Sequence, residues 1–229
     1  MTTNQNNNGR LNLPSVDGLK AMLLQRKISR EGFNVPIHPD DFYKIFVAAY
    51  NAEVEYRGSR AELDDENGAK YILWDISKMM TTTARKKNGL MLNGLYGNGK
   101  TTTVYALKAT LNFLRDKGYV DGDRLGVRII DAKQLAILAP DPKAMTQLAK
   151  TECALCIEDM GREASEVMSY GNILSPVADI VEQRYADQLF TIITTNLTPE
   201  QIKERYGGRV ADRFREMLEV ITFRHASYR

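Results

Sequence analysis

The sequence predicts an α/β protein built on a parallel sheet with helices on both faces. Three observations carry this. Short apolar strands alternate with helices from residue 89 onward, which implies a parallel sheet covered on each side. A glycine-rich loop joins the first of those strands to a long helix. Two further apolar strands end in polar residues, where phosphate chemistry needs them.

Residues 1–12 are asparagine-rich and poor in apolar side chains, and read as a disordered tail. From Pro14-Ser15 an apolar-periodic stretch runs to about Lys27, with Leu19, Met22 and Leu23 on one face; Gly18 weakens it as a helix. A clearer helix starts at Pro39, followed by Asp40 and Asp41 at its positive end. Phe42, Ile45, Phe46, Ala49 and Tyr50 recur along it at helical spacing, and Gly58 closes it. Residues 13–60 are therefore expected to form a small helical N-terminal appendage that binds a partner, and residues 61–229 the main domain.

A third helix is expected over 65–80, followed by the basic turn Arg85-Lys86-Lys87-Asn88. Strands are expected over 89–92, 127–130, 154–158, 190–195 and 219–223. Helices are expected over 100–117, 132–138, 143–150, 176–186, 199–205 and 209–218. Ser175-Pro176 and Thr198-Pro199 each offer an N-cap with proline in the first turn, and Thr198 with Gln201 fits a capping box.

Composition sets limits. The 229 residues are 43% hydrophobic and 26% charged, as in ordinary globular chains. No run of apolar residues is long enough to span a membrane, and no apolar signal core follows Met1, so a cytoplasmic location is expected. A net charge of +2, from 31 basic and 29 acidic residues, argues neither for nor against nucleic acid. Cys153 and Cys156 are spaced like a redox or metal pair. The intervening Ala-Leu reads as strand, and no second pair exists, so burial is the simpler account.

The chemistry concentrates in Gly94-Leu95-Tyr96-Gly97-Asn98-Gly99-Lys100-Thr101 and the adjoining Thr102. Glycines let the backbone fold tightly, so that successive N–H groups point at phosphate oxygens, and the helix that opens at Lys100 adds its positive end. Lys100 is expected to reach the β- and γ-phosphates of ATP, and the Thr101 hydroxyl to ligate Mg²⁺. The strand ending in Glu158-Asp159 supplies an acid for the metal (Glu158) and one to orient or deprotonate water (Asp159). Adjacent acids after a strand also suit a turn or helix cap. Asn196 ends a third buried strand, where it serves either as a polar sensor of the γ-phosphate or as a turn former. Arg209 and Arg213 share one helix face. They fit an arginine finger reaching a neighbouring subunit, or a solvated face paired with Asp212 or Glu216.

Together these residues resemble the bacterial helicase-loader ATPases DnaC and DnaI and the related IstB transposition helpers, all of the AAA+ class. The resemblance spans about residues 65–229. It rests on Gly97-Asn98-Gly99-Lys100-Thr101-Thr102, Ile157-Glu158-Asp159-Met160-Gly161, Tyr170-Gly171-Asn172, the 192–197 strand end, the 207–214 segment and Ser227-Tyr228-Arg229. The resemblance implies a five-stranded AAA+ sheet in order 5-1-4-3-2 with little or no C-terminal lid. It implies Glu158 as metal-associated acid, Asp159 as catalytic acid, Asn196 as sensor and Arg229 as a second sensor. Arg213 is then the first choice for the finger and Arg209 the second. It further implies slow ATP hydrolysis, an ATP-dependent homo-oligomer, single-stranded DNA and a replicative helicase as partner. A transposase on duplex DNA, or a nucleotide-switched adaptor with negligible turnover, are the alternatives. The family's metal acid is usually Asp where this chain has Glu158, and the first 60 residues do not match the loaders' helicase-binding region.

Overall fold

A computed structural model describes residues 13–26, 33–58, 68–82, 87–122, 125–169 and 171–224. The tail at 1–12, the basic residues Arg85 and Lys86, Tyr170 and the whole 227–229 motif with Arg229 lie outside the described residues. The chain divides into two units, 1–32 and 33–229. The first contains helix α1 (Val16–Arg26).

The second unit opens with α2 (Pro39–Tyr56) and α3 (Ala69–Thr81). Then come β1 (Gly89–Gly94), α4 (Lys100–Asp116), β2 (Val127–Asp131), α5 (Ala132–Leu138) and α6 (Pro142–Ala149). After β3 (Ala154–Met160) a short antiparallel hairpin, β4 (Val167–Ser169) with β5 (Asn172–Leu174), precedes α7 (Pro176–Ala186). The chain continues through β6 (Thr191–Thr195), α8 (Pro199–Met217) and β7 (Glu219–Phe223). The hairpin was not expected; its strands are too short for periodicity to reveal.

The main sheet runs β2-β3-β6-β1-β7, and its pairings are all parallel. Numbered without the hairpin and read from the other edge, this is the 5-1-4-3-2 order expected. Strand residues alternate between two cores, as a pleated sheet requires. Leu90, Leu92, Cys156 and Ile192 face the side of α2, α3 and α4. Met91, Leu155, Ile157 and Ile193 face α5, α6, α7 and α8.

The boundary expected at residue 60 does not hold. Helix α2 packs along α4 and α3, and Phe42, Phe46 and Tyr50 are buried in the first core with Leu107 and Leu111. Burying each such aromatic is worth about 1.5–3 kcal/mol, so α2 is a wall of the sheet domain rather than an appendage. The boundary falls between residues 32 and 33.

Local signals behave as their chemistry dictates. Thr198 accepts from Gln201 N–H and Gln201 accepts from Thr198 N–H, completing the capping box. Ser175 makes no side-chain cap. The two helices expected over 199–218 are one interrupted run, broken at Gly207 with φ 83° and ψ 162°. A side chain there would touch nothing within 4 Å, so glycine is required by backbone conformation, not space. Cys156 is buried in β3, Cys153 lies before it, and both are free thiols. Among the described residues no helix is long and apolar enough to cross a membrane.

Candidate nucleotide site

The site lies at the C-terminal edge of the sheet, where β1, β3 and β6 end beside the start of α4. Parallel α/β sheets bind ligands at such an edge. β1 ends at Gly94, where the backbone turns with φ 154°. A Cβ on Gly94 would lie 2.4 Å from Asn98 Nδ2 and 2.6 Å from the Phe223 carbonyl, so only glycine admits this close approach. Asn98 is buried. Its Nδ2 donates to Phe223 O at 3.2 Å, pinning the loop to β7. Its side chain is thus spent on loop architecture. Leu95 and Tyr96 are exposed on the loop's outer side. Thr102 is buried in the first turn of α4.

Lys100 is buried and folded over the loop. Its Nζ donates to Gly94 O and Leu95 O at 2.7 Å each, to Asn98 Oδ1 at 3.1 Å and to Asn196 Oδ1 at 2.6 Å. Burial lowers its pKa to about 8, against the opposing pull of the Asp159 carboxylate. A lysine held by four neutral acceptors and short of solvent is poised to exchange them for phosphate oxygens. Asn196 is thereby placed beside the loop, on the strand between β1 and β3, where the sensor role was expected.

Glu158 and Asp159 are consecutive, and in a regular strand they would point to opposite faces. The register between β3 and β6 shows how both reach the site. Ile157 pairs with Ile193, and Met160 with Thr195, so three steps on β3 match two on β6. This β-bulge carries Asp159 at φ 53°, an unusual conformation for a residue other than glycine. Its N–H donates to Thr194 Oγ1 at 2.9 Å, which holds the turn. The Asp159 carboxylate thus acts on the Lys100 charge, and the Thr101 side chain favours the charged form of Glu158.

Burial raises the Glu158 pKa; the Thr101 hydrogen bond opposes this and the nearby Asp159 charge reinforces it. One of its oxygens, Oε1, is buried and has no hydrogen-bond partner. An orphaned carboxylate oxygen beside a threonine hydroxyl is the donor set a hydrated Mg²⁺ would use, so the residues present fit the metal. The glycine-lined loop at the head of α4 likewise fits a triphosphate.

Asp159 also forms an ion pair with Arg162, which no sequence signal suggested. Glu163 was missed as well. It is buried behind the same turn, accepts from Gly161 N–H at 2.8 Å, and takes the Tyr206 hydroxyl on its other oxygen. In sequence, 161–163 reads as an ordinary polar turn.

The two candidate finger residues lie away from this corner, on α8, and differ sharply. Arg209 is 74% exposed, with its Nε 3.2 Å from Glu182 Oε1. Arg213 is 19% exposed, with Nη1 2.5 Å from the same Glu182 oxygen and its guanidinium over the Tyr185 ring at 5.4 Å. The alternative partners Asp212 and Glu216 engage Arg215 and Tyr185 instead.

No family model matches the sequence, and no curated protein matches it. Solved structures do. A candidate primosome component from Streptococcus pyogenes serotype M3 superposes with a TM-score of 0.54 at 16% identity, covering 80% of this chain and 98% of that one. DnaI superposes at 0.50 with 21% identity over 71% of this chain and 87% of its own. The DnaC helicase loader gives 0.49 at 22% identity, over 72% and 92%. At these identities the likeness establishes a shared fold: this chain has the fold of DnaI, a parallel five-stranded sheet between helices.

Proposed function

We propose that this chain is a Mg·ATP-dependent AAA+ ATPase that loads a replicative DNA helicase onto single-stranded DNA. The observation that carries the ATPase part is the convergence of Lys100, Asn196, Thr101, Glu158 and Asp159 on one sheet edge, from α4, β3 and the end of β6. The Gly97, Gly99, Lys100 and Thr101 backbone cradles the phosphates. Lys100 leaves the loop carbonyls for the β- and γ-phosphates. Thr101 and Glu158 hold Mg²⁺, which when bound neutralises charge developing on the transferred phosphoryl group. Asp159 accepts a proton from, or orients, the attacking water, and Asn196 fixes its position.

The arginines complete the site of a neighbouring subunit in an ATP-dependent homo-oligomer. Exposure makes Arg209 the easier of the two to deliver, whereas Arg213 must first leave Glu182 and Tyr185. The loader role is supported by the resemblance of the 207–214 segment and of the metal-acid strand to DnaC and DnaI, and by the fold shared with DnaI. The N-terminal region expected to bind a partner, residues 13–60, is the proposed helicase-facing part of the sequence.

The decisive test is gel filtration of the chain with the host's replicative helicase, with and without ATP, alongside a pull-down that includes Lys100→Ala. Co-migration that depends on ATP and on Lys100 supports the loader reading. Failure to co-migrate in any nucleotide state sinks it, and capture of a transposase moves the assignment to the IstB-like alternative.

The Asp159–Arg162 ion pair favours one further reading, a nucleotide-switched adaptor, because a carboxylate engaged by a cation must leave it before it can serve the attacking water. Tight ATP binding without hydrolysis, with DNA and partner present, would establish it.

A further inference from the structure

Glu163 is a buried carboxylate that the chemistry above does not use. Its side chain is 1% exposed. A buried charge is costly unless it is paired and hydrogen-bonded, so its partners indicate what it holds together. On one side it accepts from the N–H of Gly161, two residues after the catalytic-acid candidate Asp159. On the other it meets the end of the first segment of α8. Tyr206 donates its hydroxyl to Oε1, Arg205 Nη2 donates to the Glu163 main-chain carbonyl, and Arg205 Nε lies 3.7 Å from Oε1. Burial and this carboxylate together push the Tyr206 hydroxyl well above its ordinary pKa, so it remains a donor.

The next residue is Gly207, where helical geometry breaks, and Arg209 and Arg213 follow within two turns. A Cβ at Gly207 would touch nothing within 4 Å, so the break is set by backbone conformation and not by crowding. The direction of the second segment is held by the anchored Arg205-Tyr206 pair before the break, by the packing of Val210, Phe214 and Met217 after it, and by the pairing of Arg209 and Arg213 with Glu182 on α7. The Tyr206 ring also lies edge-on to Phe214 at 6.4 Å, so the same tyrosine touches both segments.

We infer that Glu163 is a positioning residue for the trans-acting arginines: it clamps the Arg205-Tyr206 end of α8 to the catalytic-acid turn and so aims Arg209 and Arg213 at the neighbouring subunit. The inference deepens the ATPase reading and rests on its claim that these arginines act across subunits. Loss of the clamp is felt in the neighbour's site, because a misplacement of about 1 Å in a transition-state contact costs on the order of a hundredfold in rate.

The test uses the full chain as wild type, Glu163→Gln and Tyr206→Phe. Gln replaces one acceptor oxygen with an amide donor; Phe removes a single hydroxyl and keeps the ring, and serves if the first variant folds poorly. Both variants are expected to bind a fluorescent ATP analogue with Mg²⁺ within about twofold of wild type under dilution. Turnover per chain is then followed against protein concentration. Wild-type turnover rises as chains meet; Glu163→Gln loses about tenfold or more of that rise, and Tyr206→Phe about threefold.

Excess Asp159→Asn subunits, which lack the acid and keep the clamp and arginines, are finally added. Turnover by Glu163→Gln sites returns toward wild type, because the fault lies in the arginine each variant offers. Variants that match wild type at all concentrations overturn the inference, and so does turnover that stays low in the mixture. Wild-type turnover that is independent of concentration overturns the cross-subunit reading itself, and the inference with it.

Discussion

The phosphate corner and the arginine face of α8 both carry buried or half-buried cations, yet they are built in opposite ways. At the corner, Lys100 is held by four neutral acceptors drawn from its own loop and from Asn196. Every group a triphosphate and Mg²⁺ would need is already within the chain. On α8, Arg209 and Arg213 share one carboxylate, Glu182. A cation hydrogen-bonded to neutral carbonyls, with the Asp159 carboxylate acting on it only through space, gains a direct counter-charge when phosphate arrives. A cation already paired with a carboxylate gains only when a stronger anion displaces that partner. In the proposed ATPase, the first arrangement is ready within one chain, whereas the second would be released from Glu182 when a neighbouring subunit's nucleotide displaces it.

This contrast is broken most directly at Lys100. Lys100→Ala is expected to lower ATP affinity by about a hundredfold or more, since a charge-assisted contact in a partly buried site is lost. Thermal stability should change little, because the carbonyls it leaves lie at an open loop. Titration calorimetry with Mg·ATP checks the first claim and melting the second; near-normal affinity would place the nucleotide elsewhere.

Asp159→Asn separates binding from chemistry. Turnover should fall by about a hundredfold to a thousandfold while affinity stays within about fivefold, as expected for a group that acts only in the transition state. Phosphate release and calorimetry on the same preparation measure both.

The pH dependence of binding sharpens the point about counter-charges. The amine of Lys100 titrates near pH 8 in the free protein because burial disfavours its charge. The sign follows from that depression. Below about 8 the amine is protonated and ready for phosphate; above it the folded chain holds it neutral while an unfolded chain would still protonate it. ATP affinity should therefore fall as pH rises through 8 and beyond, whereas folding stability, if anything, rises over the same interval. Lys100→Arg should flatten the affinity profile. A profile flat to pH 9 in the unsubstituted chain would contradict the buried, acceptor-only environment.

The smallest effect distinguishes the two arginines. Arg213→Ala should cost roughly 1–2 kcal/mol of stability, since it removes a mostly buried ion pair and its stacking on Tyr185. Arg209→Ala, largely solvent-exposed, should cost less than about 0.5 kcal/mol. Denaturant unfolding of the two variants reads the difference directly. Equal losses would mean that the two arginines are held alike.

Much of this was legible in the chain. The 3.6-residue spacing of Phe42, Phe46 and Tyr50, the glycine loop before Lys100, the Thr198–Gln201 cap and the break near Gly207 each depend on neighbours within a few residues. Asn196 was legible only as a polar strand end, which suits a turn as readily as a phosphate sensor; its hydrogen bond to Lys100 came from the structure. What α2 packs against was not legible: an amphipathic helix announces that it has an apolar face, not which surface will cover it.

The sequence alone determined the glycine loop before Lys100, the strand and helix pattern and the side-chain types proposed to bind Mg·ATP, because those are properties of local backbone geometry and side-chain chemistry. Tertiary structure alone decided that a bulge turns Asp159 toward the same site as Glu158, that Arg209 and Arg213 share Glu182, and that Glu163 is buried against Tyr206. Those outcomes depend on which segments, tens of residues apart, come to lie together, and that is set by how whole elements bury their apolar faces.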